Sequence, residues 1–274
     1  MADSGEWQHV KRGRKIRGKG KVCVMEKAED CEDIQQDKRR ITDAMNDLRC
    51  EDFWAEWQEI LCGCLTETVD ETTAGNECSL YCVCYGLGNF SSCVSARYQL
   101  AMLLLLLGAL QIPVERCCMY DPVFTGSECK TLRELGFTVL TENEEGKRAV
   151  SQPTLFYLMH CGKALYNNLL WSNWKPQTLP NVIVVGNSFL GIQERMLQKD
   201  LERDYSFLSD AMNVCEETSL PCSQRFLDVF NDTALIRFPS NKLHELSEST
   251  WAEPSEPQYE NCQDLEIIRR ERSS

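Results

Sequence analysis

The feature that most constrains this chain is an alternation. Between residues 80 and 185, short apolar segments bounded by glycine, proline or polar turns alternate with stretches of helical pattern. The pattern predicts strands at 80–85, 114–120, 137–140, 154–160 and 182–185. Helices are expected from a Ser92 cap to about Leu110, over 126–135, over 162–174 and over 192–216. This order specifies an α/β fold, a Rossmann-like doubly wound, mostly parallel sheet with helices on both faces. The run Val182-Ile183-Val184-Val185 has no polar alternation, as befits a strand covered on both sides. Residues 233–238 are expected as a final strand at the sheet edge.

Ahead of the alternation, Ile41, Met45, Leu48, Phe53, Trp54, Trp57, Ile60 and Leu61 recur at helical spacing within 34–61 and predict an N-terminal helix. The domain organisation follows: a flexible basic arm over 1–30, one α/β domain over 31–245 with its core at about 78–240, and an acidic, disordered tail over 246–274. The 11-residue run 100–110 is too short for a membrane span, which needs roughly 18 residues. The N-terminus has no apolar stretch of signal-peptide type, and an intracellular protein is expected.

Charge limits the partners. Residues 11–21, KRGRKIRGKGK, hold seven basic side chains from Lys11 to Lys21, and without them the net charge of −13 becomes −20. An acidic body of this kind repels nucleic acid, whereas the arm offers a weak nucleic-acid contact or a nuclear-import segment. A plain solvated tail is the alternative. None of the sixteen cysteines forms a Cys-x-x-Cys pair, so zinc is not supported, and without a secretion signal a disulfide framework is a poor reading. In runs such as Cys82-Val83-Cys84 they read as small hydrophobes.

Doubly wound sheets bind ligands beyond the carboxyl ends of their strands, near the switch in strand order. That rule selects Gly86, Gly88 and Asn89 after the first strand, Asp121 after the second, His160 and Cys161 after the fourth, and Asn187 and Ser188 after the fifth. Gly86-Leu87-Gly88-Asn89-Phe90-Ser91 lacks the third glycine of the dinucleotide fingerprint, and Asp121 lies beyond the usual acidic spacing. Two readings stand: a nucleotide or S-adenosylmethionine pocket of methyltransferase type, or glycines that only turn the chain. His160 and Cys161 are adjacent, and neighbours leaving a strand point to opposite faces, which argues against a dyad between them; Ser188 reads as a helix cap or, less well, a hydrolase nucleophile. Trp171 and Trp174 read as core anchors. No cofactor is assignable from these residues; a nucleotide, haem or a metal are all open.

Taken together, YGLGNF at 85–90, YDPVF at 120–124, MHCG at 159–162 followed by LYNNLLWSNW, and GNSF at 186–189 resemble the "sensitivity to red light reduced" family over about residues 45–240. The basic start WQHVKRGRK also resembles animal members, while His160 stands where the family pattern would carry a proline. The resemblance implies a regulator of clock-gene expression and, in animals and fungi, of haem biosynthesis. It implies action through protein partners, mainly in the cytoplasm with some nuclear presence, and no catalytic residues.

Overall fold

A computed structural model describes residues 20–66, 80–251, 255–259, 262 and 267–268. Its framework is a seven-stranded sheet: β1 (Tyr81–Tyr85), β2 (Cys117–Tyr120), β3 (Thr138–Val139), β4 (Thr154–Leu158), β5 (Val182–Asn187), β6 (Glu216–Ser219) and β7 (Thr233–Arg237). The spatial order is β3-β2-β1-β4-β5-β7-β6. The first five strands run parallel, and β7 is antiparallel to both β5 and β6. The doubly wound α/β expectation is met.

Alternation along the strands divides the interior into two cores. Cys82, Cys84, Cys117, Met119, Leu155, Tyr157, Ile183 and Val185 face one side. There they meet α1 (Gly20–Arg49), α2 (Asp52–Thr66), α3 (Val94–Ala109) and Leu132 of α4 (Gly126–Glu134). Val83, Tyr85, Phe156, Leu158, Val182 and Val184 face the other side. That side is covered by α5 (Lys163–Ser172), α6 (Phe189–Arg195), α7 (Gln198–Asp204), α8 (Ser206–Met212) and residues of the C-terminal segment. The crossovers β1-α3-β2-α4-β3 use the first face and β4-α5-β5 the second. The order therefore switches between β1 and β4, which opens a crevice at their carboxyl ends.

Several expectations shift, each for a tertiary reason. The helical pattern of 34–61 breaks at Cys50 and Glu51, whose amides close a turn on Asp47 and Leu48. The break gives α1 and α2 different partners: α1 lies along α3 and α4, while α2 packs under Phe226 and Phe230. Val114–Arg116, expected as strand, is a 3-10 turn. Helix α3 is capped at Cys93 without a side-chain bond, rather than at Ser92. The helix expected over 192–216 is three short helices, and its end is β6, a strand that local pattern does not reveal. Because β6 covers β7, the strand expected at the edge lies inside the sheet.

The ends differ from expectation too. Residues 20–30, expected within a flexible arm, are the first turns of α1. Most of the basic arm, residues 1–19, lies outside the described residues. Some described residues of the expected disordered tail pack against the domain. Trp251 meets Trp174 with ring centroids 5.6 Å apart, and Tyr259 is buried. No helix among the described residues is long and apolar enough to cross a membrane.

Candidate site at the switch in strand order

The glycine turn after β1 is built by its neighbours. Gly86 and Gly88 take φ of +66° and +82°, a region that favours glycine. A Cβ on Gly86 would come within 2.6 Å of the Cys161 sulfur, so glycine there is required by both backbone and contact. The Gly86 amide donates to the Tyr120 carbonyl at 3.3 Å. The Gly88 amide donates to Asp121 Oδ2 at 2.7 Å, and the Val123 amide donates to Asp121 Oδ1 at 2.9 Å. Asp121 thereby holds two turns at once.

Beyond Gly88 the loop is clamped from two helices. Asn89 Oδ1 accepts from the Ser92 amide and hydroxyl at 3.0 and 2.7 Å. Ser91 donates its hydroxyl to the buried Asp37 of α1 at 2.5 Å and its amide to Glu128 Oε1 at 2.9 Å. Glu128, fully buried, also accepts from Thr125 at the start of α4 and completes a capping box. The Thr125-x-x-Glu128 spacing is the signal that would have found it.

On the other side of the crevice His160 has left the strand, since β4 ends at Leu158 and His160 adopts φ +51°. Its Nε2 lies 3.3 Å from the Asn231 carbonyl. Cys161 turns inward and donates its thiol to the Tyr85 carbonyl at 3.3 Å. The two neighbours face different partners, as the sequence argument held. Asn187 donates from Nδ2 to the Cys161 carbonyl at 3.0 Å, and its amide donates to the Tyr166 hydroxyl at 2.8 Å. Ser188 is a helix cap: its Oγ accepts from the Gly191 amide at 2.9 Å and donates to Glu217 Oε1 at 2.5 Å.

A cavity of about 370 Å³ opens at this place. Of the eight candidate residues it unites five: Gly86, Gly88, Asp121, His160 and Cys161. Asn89, Asn187 and Ser188 support the walls from outside and do not line it. Local reading missed Asn143, Glu145 and Gly146 from the charged loop, Leu165 of α5, and Ile267 and Ile268 of the C-terminal segment. Beside the cavity, Tyr85 donates its hydroxyl to Glu144. Burial, and then that bond, pushes the Tyr85 phenol far up, so it stays protonated. Burial does the same to the Cys84 thiol behind the glycine turn. No group of three metal-ligating side chains occurs among the described residues, and no disulfide joins any two described cysteines.

A doubly wound sheet, a turned glycine loop and a cavity at the switch point define an α/β protein of Rossmann-like architecture, with its turn residues bound to its own chain. Within that class the chain belongs to the SRR1 domain family, whose family model matches residues 65–237. It is 43% identical over 195 residues to an SRR1-like protein of Mus musculus, covering 62% of this chain and 78% of the mouse protein. An SRR1-like protein of Drosophila melanogaster is 37% identical over 161 residues, covering 59% of this chain and 56% of the fly protein. Protein SENSITIVITY TO RED LIGHT REDUCED 1 of Arabidopsis thaliana is 33% identical over 156 residues, covering 57% of this chain and 53% of the plant protein. The match takes in the glycine turn, Asp121, His160 and Ser188, so the family resemblance read from those motifs holds.

Proposed function

We propose that this protein is a non-catalytic regulator that works through protein partners, in the control of circadian-clock gene expression and of haem biosynthesis. The reading includes a cytoplasmic location with a nuclear fraction. The plant relative, named for sensitivity to red light, supports the regulatory part. One structural observation carries the non-catalytic part: the candidate residues are engaged with their own chain. Both Asp121 oxygens accept backbone amides, Ser188 caps a helix, and Cys161 and His160 face separate carbonyls. Nucleophilic catalysis needs a nucleophile within hydrogen-bond reach of a base, and these residues are bonded elsewhere.

A second reading has its own support. A parallel sheet with one reversed strand inserted next to its last strand is also the arrangement of doubly wound methyltransferases, and Asp121 follows β2 as their acidic residue does. That is an analogy of fold, which hosts many functions. The two readings part in one assay. Purified protein is incubated with cell extract and S-adenosylmethionine labelled in its methyl group, and the same protein is returned to cells lacking it. The regulatory reading expects restored haem content and restored rhythm of a clock reporter, with no labelled product above a heat-treated control. A labelled product that Gly88→Val abolishes would replace it with the methyltransferase reading.

A further inference from the structure

The switch-point cavity has a chemistry of its own. Glycine turns that hold phosphate do so with unengaged amides, usually beside a helix N-terminus. Here the amides of Gly86 and Gly88 already donate to Tyr120 and Asp121, so the phosphate grip is filled from within the chain. Charge points the same way. Asp121 and Glu145 line the cavity, and among its described lining residues there is neither lysine nor arginine. Two cations of the adjoining loop are ion-paired: Lys147 lies between Glu145 and Glu256 at 2.5 and 2.6 Å, and Arg148 holds Glu144 at 3.0 Å. A phosphate entering this half-enclosed space would meet the carboxylates of Asp121 and Glu145, like charge at raised strength.

Apart from Tyr85, Asn143 and His160, the side chains of the rest of the wall are largely apolar. Tyr120, Pro122, Val123 and Leu165 come from the body of the domain, and Ile267 and Ile268 from the C-terminal segment. That segment is brought there by named contacts. Tyr259 shares its hydroxyl with Asn167 and Asn168 at 2.9 and 2.7 Å, and Asn143 donates to the Ile268 carbonyl at 2.6 Å. The volume, about 370 Å³, is that of a small-molecule site. Asp121 has used two of the roughly four acceptor positions of a carboxylate, which leaves acceptors for a ligand.

We propose that this cavity binds a phosphate-free organic ligand with an apolar ring body, which presents hydrogen-bond donors or a positive charge to Asp121 and Glu145, and that Ile267 and Ile268 form the outer wall of the site. The inference goes beyond the regulatory reading and holds whether or not the ligand is chemically changed.

Isothermal titration of the full-length chain tests it with four probes. Adenosine and tryptamine offer rings with a neutral or a charged donor. ADP adds only phosphates to adenosine, and inorganic pyrophosphate supplies the phosphates alone. The expected result is measurable binding of a phosphate-free probe, with adenosine at least tenfold tighter than ADP and no pyrophosphate heat. ADP binding as tightly as adenosine, or pyrophosphate binding at all, would overturn the proposal. So would failure of both adenosine and tryptamine to bind at millimolar concentration. Ile268→Lys tests the wall, because Ile268 is 57% exposed and its replacement leaves the core intact. It should weaken tryptamine at least fivefold and strengthen ADP; unchanged affinities for both would remove the C-terminal segment from the site.

Discussion

The two faces of the sheet are sealed by different physics. On the α1–α2–α3 side the seal is mainly apolar burial, with Asp37, Gln99 and Glu128 among its buried polar groups: Trp57 is fully buried among Phe53 and Phe230, and Leu100, Leu103, Leu106 and Leu107 fill α3 nearly all round. On the α5–α8 side, apolar packing is threaded with Asn167, Asn168 and Asn173, each hydrogen-bonded through both its amide oxygen and its amide nitrogen. Asn173 accepts from the Val150 amide at 2.9 Å and donates to the Arg148 and Leu169 carbonyls at 2.8 and 2.9 Å. Asn167 accepts from the Leu208 amide at 3.1 Å and donates to the Tyr259 hydroxyl at 2.9 Å. Burial is non-directional and accepts any well-shaped apolar neighbour, whereas a buried amide accepts only the partner at the right place. The second face can therefore specify which loop and which C-terminal segment it holds. That is why the cavity wall comes from that side.

The comparison can be broken by measurement. Trp57→Ala should cost most, about 3–5 kcal/mol from the lost transfer energy and the cavity left behind, read by denaturant unfolding. Its Nε1 bond to the Pro221 carbonyl at 2.7 Å is lost too. Asn173→Ala should follow at about 2–4 kcal/mol, because it strands buried backbone groups that cost about 1–3 kcal/mol each. Asn173→Asp keeps the acceptor and should fall between Asn173→Ala and wild type. An Asn173→Ala cost below 1 kcal/mol on this scale would show that the second face is also held by burial alone.

Tyr259→Phe sharpens the same point at smaller size. It removes one hydroxyl from Asn167, Asn168 and the Ala164 carbonyl, and about 1–2 kcal/mol is expected. The telling readout is limited proteolysis: faster cleavage in the C-terminal segment with the sheet intact, where a uniform rise would deny that the hydroxyl is a local anchor.

The smallest effect belongs to the first face. A hydrogen bond from Tyr98, with Arg225 beside it, lowers the Asp47 carboxyl below its usual 3.8. A group lowered on folding stabilises above its unfolded value and loses that contribution as pH falls through the folded one. The acid limb below about pH 5 should therefore flatten in Asp47→Asn. Above that limb the loss should stay under about 1 kcal/mol, as for other surface pairs.

What could be read without the fold follows from periodicity. Strands β1, β4 and β5 are continuous apolar runs buried on both sides, and α3 is apolar nearly all round, so each announces itself locally. Strand β6 does not: Glu216, Glu217 and Thr218 are polar and half-buried, and they pair only because β7 lies beside them. Glu217 then serves the start of α6 by binding Ser188 and the Leu190 amide at 2.5 and 3.0 Å, a role with no local trace. The site divides likewise. Gly86, Gly88 and Asp121 were legible because strand ends converge in any doubly wound sheet. Glu145, Leu165, Ile267 and Ile268 were not, because they reach the cavity from a loop, a helix face and a distant segment.

The sequence by itself determined the fold class, the family and the place of the crevice, since these rest on apolar period and on turn residues that act within a few positions of themselves. Tertiary structure alone decided that the glycine amides are filled by Tyr120 and Asp121, that the Ser188 hydroxyl is held by Glu217, and that the C-terminal segment walls the cavity. Those outcomes depend on which donors and acceptors meet across long stretches of chain. A hydrogen bond is decided by distance and angle, and neither is written in the order of residues.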